Sequence, residues 1–214
     1  LCQFLQKSNP DITILYSGPE YITANDNRRF CTALTGIMDD YNGDGEKKVI
    51  LNDIIYMTGE QIREAREKAE EAGEDFAYNQ QANAQTAEQF TYEIMAGDSL
   101  ICFLCEDQYE SVRDAGGFMP LSEVLDAVPD DAIDAYGIRL HDTPFAQYFT
   151  ISRIFPEETV IALRRVTTIS QMKGQEKMEK TFGWHKDLFQ KIVGFTFPEG
   201  YIPEAESPTD PETN

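Results

Sequence analysis

The fold of this chain is decided by six consecutive apolar residues at positions 100–105, which read LICFLC. A run of this length without a polar side chain is typical of a central β-strand that is covered on both faces. It follows a modest apolar stripe of Ala87, Phe90 and Ile94 at helical spacing, which stops at Gly97. The sequence therefore predicts a helix that leads into a buried strand.

The same alternation of strands and helices extends to both sides of this segment. The predicted elements are strands at 12–16 and 49–56, helices at 30–38, 62–72 and 109–115, strands at 136–140 and 160–163, and a helix at 184–193. The residues Asn25, Asp26 and Asn27 are expected to cap the first helix, and Thr58 with Gln61 fits a capping box before the second. This order favours an α/β fold with a mostly parallel sheet and helices on both faces.

Length and the lack of an internal linker favour a single domain. At 214 residues the chain exceeds the commonest domain size but falls short of two full domains. We expect an N-terminal leader at 1–10, one α/β domain at 11–202, and a disordered acidic tail at 203–214, where Pro, Glu, Ser and Thr dominate. No run approaches the roughly 20 apolar residues of a spanning helix. Any membrane attachment is therefore expected to come from an anchor upstream of Leu1.

The balance of charges argues against two classes of partner. The chain carries 38 acidic and 18 basic residues, which gives a formal net charge of -20 at pH 7. Nucleic acid binding requires clustered cations, so we expect no nucleic acid partner, and anionic membrane surfaces are disfavoured for the same reason. Cations, basic peptides and neutral small molecules are compatible with this charge. Solubility is the commoner explanation of a high acid content.

One acidic turn resembles half of a calcium loop. Asp40, Asn42 and Asp44 supply oxygen atoms at positions one, three and five, and a glycine follows at the sixth. The second half does not fit, because Lys48 occupies the ninth position and Leu51 stands where a bidentate carboxylate is needed. The sequence therefore predicts no cofactor and favours a plain acidic turn, with calcium as the open alternative.

The residues that commonly carry catalysis form no recognisable pattern. Cys102 and Cys105 have the spacing of a redox or metal pair, but in a strand residues three apart point to opposite faces, so we expect two buried, unpaired thiols. Neither His141 nor His185 has a sequence neighbour that marks a triad. The chain also has no nucleophile elbow, phosphate loop, dinucleotide fingerprint or His-Glu-x-x-His motif. We expect no enzymatic activity, with a hydrolase lacking a recognisable motif as an alternative.

Three segments resemble extracellular solute-binding proteins of the kind that serves ABC transporters. They are the strand at 12–16 with the turn Ser-Gly-Pro at 17–19, the helix and Ala-Gly-Asp turn at 90–101, and the Gly-x-x-x-Leu-x-x-x-Leu stretch at 117–125. The resemblance extends over roughly residues 11–165 and implies one lobe of a periplasmic-binding-protein-like fold. It departs from the family pattern in size, because those proteins close two lobes around a ligand.

The resemblance implies a non-enzymatic binding domain located outside the cytoplasm, on a bacterial cell surface. Open α/β sheets bind ligands in the loops at strand ends. The expected ligand-binding residues are therefore Tyr16, Ser17, Asp98 and Ser99, and ordinary turn chemistry is the competing interpretation of each. The ligand would be a small solute or a protein. A surface protein-interaction module that has lost solute binding is the alternative, because one lobe cannot enclose a solute by hinge closure.

Overall fold

The computed structural model of the chain describes residues 9–172 and 174–201, so most of the predicted leader and all of the predicted tail after residue 202 lie outside it. The described residues form an α/β fold with a five-stranded sheet and eight α-helices. The strands are β1 (Ile12–Gly18), β2 (Val49–Ile55), β3 (Ile101–Leu104), β4 (Gly137–Arg139) and β5 (Val160–Leu163). The helices are α1 (Ala24–Ile37), α2 (Gly59–Ala72), α3 (Gln80–Ala96), α4 (Glu106–Asp114), α5 (Leu121–Val124), α6 (Pro144–Tyr148), α7 (Thr168–Gln171) and α8 (Gln175–Val193). Among these helices, none is long and apolar enough to cross a membrane.

The sheet is mixed, with the strand order β2-β1-β3-β5-β4. β1 pairs in parallel with β2 and β3, whereas β5 runs antiparallel to both β3 and β4. The α/β class is thus confirmed, and the prediction of a mostly parallel sheet is not. The apolar sequence of β5, Val-Ile-Ala-Leu, suits a buried strand in either direction. The sequence therefore does not indicate whether β5 runs parallel or antiparallel to its neighbours.

Helices cover both faces of this sheet. Alternate side chains of β1 divide between the faces as the pleat requires, so that Ile14 and Tyr16 point to one side and Leu15 to the other. The first face packs against α1 and α8, and the second against α3 and α4. β3 lies in the centre of the sheet, and all four of its residues are buried. The prediction of a buried central strand is therefore confirmed.

Local sequence determines where the helices begin. Thr58 and Gln61 form the predicted capping box, in which each side chain accepts a hydrogen bond from the other residue's backbone N–H. α2 buries none of its side chains and lies on the surface. α1 begins earlier than predicted, because Thr23 has the extended backbone of an N-cap and accepts a hydrogen bond from the N–H of Asp26. The expected caps at 25–27 are instead part of the helix.

Candidate functional site

The carboxyl ends of β1, β2 and β3 meet along one border of the sheet, which we call the carboxyl edge. From β1 the chain moves to β2 on one side, and it later returns to β3 on the other. In open α/β sheets such a divergence leaves a crevice in which ligands commonly bind. β4 ends at this edge and β5 begins there, so residues 140–159 connect two strands beside the crevice.

Two of the predicted ligand-binding residues, Tyr16 and Ser17, lie at the carboxyl edge, but both are fully buried. The Ser17 hydroxyl donates a hydrogen bond to the carbonyl oxygen of Ile54 at 2.7 Å. The Tyr16 hydroxyl donates to the carbonyl oxygen of Glu20 at 3.2 Å. Both side chains therefore hold the strand ends and the following loop in place, and their contact with a ligand stays a prediction.

The other two predicted residues, Asp98 and Ser99, lie at the opposite border of the sheet, which we call the amino edge. They precede β3, whose carboxyl end pairs with that of β1. Ser99 and Leu104 are five positions apart along an extended chain, a distance of about 17 Å at the usual rise per residue. Ser99 is buried, and its N–H donates to Glu93 at 3.3 Å. The four predicted residues thus belong to two distant places and do not form one site.

A buried cluster of polar side chains lies behind the carboxyl edge. Its centre is the thiol of Cys105, which is in contact with the Tyr16 hydroxyl and close to Gly18. Burial, followed by the negative charge of Glu158, raises the pKa of Cys105 to about 12, although the hydroxyls of Thr159 and Tyr16 act in the opposite direction. Burial also raises the pKa of Tyr16, with Cys105 as the next cause. Both groups are therefore protonated near neutral pH, and a protonated thiol is a poor nucleophile.

In front of this cluster lies a surface pocket of about 430 Å³, which we call the edge pocket. The Arg139 guanidinium forms an ion pair with Glu106 at 3.3 Å. The His141 Nε2 atom donates to the carbonyl oxygen of Phe155 at 3.2 Å. Glu158 belongs both to the pocket and to the cluster around Cys105. The residues that line the pocket are Arg139, His141, Asp142, Glu157 and Glu158.

The loop after β2 is fastened to two helices near the same edge. The Asn83 side chain of α3 accepts a hydrogen bond from the N–H of Met57 at 2.8 Å and donates to its carbonyl oxygen at 2.9 Å. The Thr58 hydroxyl donates to the carboxylate of Asp107 in α4. These contacts hold Met57 and Thr58 in place, so this side of the carboxyl edge is held rigidly.

The predicted calcium ligands Asp40, Asn42 and Asp44 lie in a turn before β2, away from the carboxyl edge. Both carboxylate oxygens of Asp40 accept backbone N–H groups at 2.8 Å. The side-chain oxygens of Asn42 and Asp44 each accept the N–H two residues further on, at 2.8 and 3.0 Å. In the described part of the chain, no three His, Cys, Asp or Glu side chains form a group that could hold a metal. Backbone contacts thus account for these oxygens, and calcium binding stays a prediction from sequence.

Three of the cysteines lie within the described residues, and none of the three is in a disulfide. Cys102 and Cys105 are buried, as predicted. Cys102 packs on the side of α3 and α4, where burial raises the pKa of its thiol to about 12. Cys105 instead adjoins Tyr16, which points to the opposite face. The two sulfurs are therefore separated by the sheet, as the spacing within a strand predicted.

Comparison of the chain with protein-family models, with curated proteins and with solved structures gives no match. The resemblance to solute-binding proteins consequently depends on the three sequence segments alone. Evidence for a site comes from the geometry of the carboxyl edge.

Sequence reasoning missed the residues that surround the edge pocket. Arg139 falls within the strand predicted at 136–140, and Glu157 and Glu158 lie between that strand and the one predicted at 160–163. One signal was present, because two charged residues, Glu157 and Glu158, are separated from the buried strand β5 by Thr159 alone. Recognising their position required knowing that β5 is antiparallel, since only then does its first residue lie at the carboxyl edge.

Proposed function

We propose that this chain is a non-enzymatic binding lobe that takes its ligand at the edge pocket. The observation that carries the proposal is the position of this pocket, which opens at the carboxyl edge, in the β4–β5 connection beside the point where the connections from β1 diverge. Its acidic side chains lie on the segment that connects β4 to β5, and Arg139 lies at the end of β4, so the sheet supports the charged groups as in many recognition sites. Tyr16 and Ser17 act behind the pocket as supports of the β1 loop.

The chemistry of the buried cluster favours binding over catalysis. Cys105, with a pKa of about 12, is protonated near neutral pH and is not an activated nucleophile. The Nε2 atom of His141 is occupied by a backbone carbonyl. A hydrolase would need a nucleophile and a base within hydrogen-bond reach of each other. The alternative of a hydrolase therefore has less support than that of a binding lobe.

The proposal includes a location outside the cytoplasm, on a bacterial cell surface. This part comes from the resemblance to solute-binding proteins, and the strand and helix order of the described residues is compatible with one lobe of that fold. The strongly negative charge supports the absence of a nucleic acid partner.

A protein-interaction module is the second candidate, and a surface on α3 and α7 favours it. Tyr92 and Met172 are large apolar side chains with 69% and 84% of their surfaces exposed. Met95 and Ile169 are also exposed, and the Thr167 hydroxyl joins the two helices by donating to the Met95 carbonyl oxygen at 2.7 Å. Exposed apolar patches often mark protein-binding surfaces.

The test is a thermal-shift screen of the chain with charged and neutral small molecules, followed by NMR mapping of each hit. A ligand present at 100 times its Kd should add about 2.7 kcal/mol to the free energy of unfolding. We expect hits to shift the amide signals of residues 139–142 and 157–158. Hits that shift only the amides of α3 and α7 would contradict binding at the edge pocket and favour the second candidate.

A further inference from the structure

The charges that line the edge pocket are not balanced. Arg139 is already neutralised by Glu106, which lies outside the pocket lining. The carboxylates of Asp142, Glu157 and Glu158 also belong to the lining, and no ion pair joins any of the three to a Lys or Arg of the described residues. The pocket therefore has an excess of negative charge even when Arg139 is counted.

Glu158 is the acidic residue of the pocket that lies closest to the buried cluster around Cys105. It is half-buried, and its carboxylate acts directly on the buried Cys105 thiol, whose pKa it helps to raise. The adjacent Thr159 hydroxyl is fully buried near the Cys105 thiol, and it makes no hydrogen bond of normal geometry among the described residues. A buried polar atom without a hydrogen bond is rare in folded proteins and requires an explanation. This unsatisfied hydroxyl directly follows Glu158 in sequence, which is consistent with a polar group binding close to Glu158.

The geometry of the edge pocket favours an organic cation over a metal ion. A divalent metal needs several oxygen ligands within about 2.6 Å of one point, and the described residues contain no group of His, Cys, Asp or Glu side chains suited to this. A volume of about 430 Å³ instead suits a small organic molecule or an extended side chain. An alkylammonium group can donate three hydrogen bonds to separate carboxylates.

We propose that the edge pocket, as the binding site of the proposed function, recognises a ligand through an alkylammonium group held by Glu158 and its neighbours Asp142 and Glu157. The group belongs either to a small free amine or to a lysine side chain of a peptide. The net charge of -20 supports this inference, because it raises the local concentration of cations around the whole chain.

The experiment compares matched ligands by titration calorimetry. 1,4-Diaminobutane is the small amine, 1,4-butanediol is its uncharged counterpart of equal length, and an acetylated, amidated tri-lysine peptide represents the protein source. We expect the diamine or the peptide to bind and the diol to show no heat of binding. Whichever of the two amines binds more tightly identifies the source. Binding should weaken as salt is added, because the site is partly exposed.

Three variants test which carboxylate binds the alkylammonium group. Glu158→Gln should weaken amine binding about tenfold, and the exposed Asp142→Asn about threefold, in keeping with the strength of half-buried and exposed ion pairs. Glu64→Gln, on the surface of α2, removes the same unit of net charge and should change binding less than twofold. Thermal unfolding of each variant confirms that it folds, and Asp142→Asn tests the inference even if Glu158→Gln is unstable.

The outcomes separate this inference from the proposed function. Failure of both amines to bind overturns the inference. If neutral or anionic solutes from the screen then shift residues 139–142 and 157–158, the proposed function stands alone. Equal weakening of amine binding by Glu64→Gln and Glu158→Gln also overturns the inference, because it shows attraction by net charge and not recognition in the pocket.

Discussion

The two edges of the sheet use charge in opposite ways. At the amino edge, Arg164 is buried, and its guanidinium donates hydrogen bonds to carbonyl oxygens at the end of α3, including that of Gly97 at 2.6 Å. At the carboxyl edge, the buried side chains Tyr16 and Cys105 are uncharged, and the ionised groups surround an open pocket. The difference indicates that charge stabilises the fold at one edge and remains accessible to a ligand at the other.

The largest effect is expected at the amino edge. Arg164→Met should lower the free energy of unfolding by about 3–5 kcal/mol, because the carbonyl oxygens that end α3 lose a buried charged donor. Urea denaturation measures the change. Arg63→Met is the matched control on exposed α2, where surface ion pairs contribute little to stability. Similar losses in both variants would contradict a stabilising role specific to the amino edge.

The next effect concerns packing at the carboxyl edge. A Cβ atom at Gly18 would lie 2.4 Å from the Cys105 sulfur, so Gly18→Ala should lower the free energy of unfolding by about 2 kcal/mol. Removal of the sulfur in Cys105→Ala should make the same glycine substitution much less harmful. A double-mutant cycle in urea therefore measures their coupling. Additive losses would mean that the two residues do not share this contact.

A smaller effect depends on pH and on His185, which is buried near the amino edge. Burial lowers the pKa of His185, while the carbonyl oxygens of Thr181 and Thr13 near its ring nitrogens oppose this. A lowered pKa in the folded state gives stability that is complete above the unfolded value of about 6.5 and is lost as the pH falls towards the folded value. The free energy of unfolding should therefore decrease as the pH falls below about 6.5, with a slope of no more than about 1.4 kcal/mol per pH unit.

The two histidines of the chain allow a matched comparison for this pH dependence. His185→Gln should flatten the stability profile between pH 8 and 5.5, whereas His141→Gln, at the carboxyl edge, should keep it. Urea unfolding at several pH values gives both profiles. A slope that is retained in His185→Gln would assign the effect to groups other than this histidine.

The smallest expected effect tests the loop beside the carboxyl edge. Thr58→Ala removes both the N-cap of α2 and the hydrogen bond to Asp107, and should lower the free energy of unfolding by about 1 kcal/mol. Thr86→Ala, within α3 and far from either helix end, should change it by less than about 0.5 kcal/mol. Equal stabilities of the two variants would mean that the cap contributes little to this edge.

Much of the fold could be predicted from the sequence because short local segments determine it. The capping box of Thr58 and Gln61, the stop at Gly97 and the apolar run of β3 each depend on neighbouring residues, and each was predicted correctly. The position of β5 between β3 and β4 was not predicted. It depends on pairing with residues about 60 positions away in sequence, and apolar composition carries no information about strand direction.

The candidate site was predicted only in part. Tyr16 and Ser17 were correctly associated with the end of β1, but their burial behind the loop was not visible in sequence. Asp98 and Ser99, named together with them, precede β3 and lie at the amino edge, since residues that precede a parallel strand lie at the opposite edge from residues that follow one. That rule follows from strand direction alone, so sequence reasoning contained enough information to separate the two pairs.

The insertion of β5 also has a consequence for synthesis on the ribosome. β4 has a single partner strand, β5, which lies about 20 residues further along the chain. β1, β2 and β3 can pair as soon as they emerge, whereas β4 must wait for its neighbour to be translated. A nascent chain that ends before residue 160 would therefore expose one side of β3, and that unpaired backbone is a template for association with other chains.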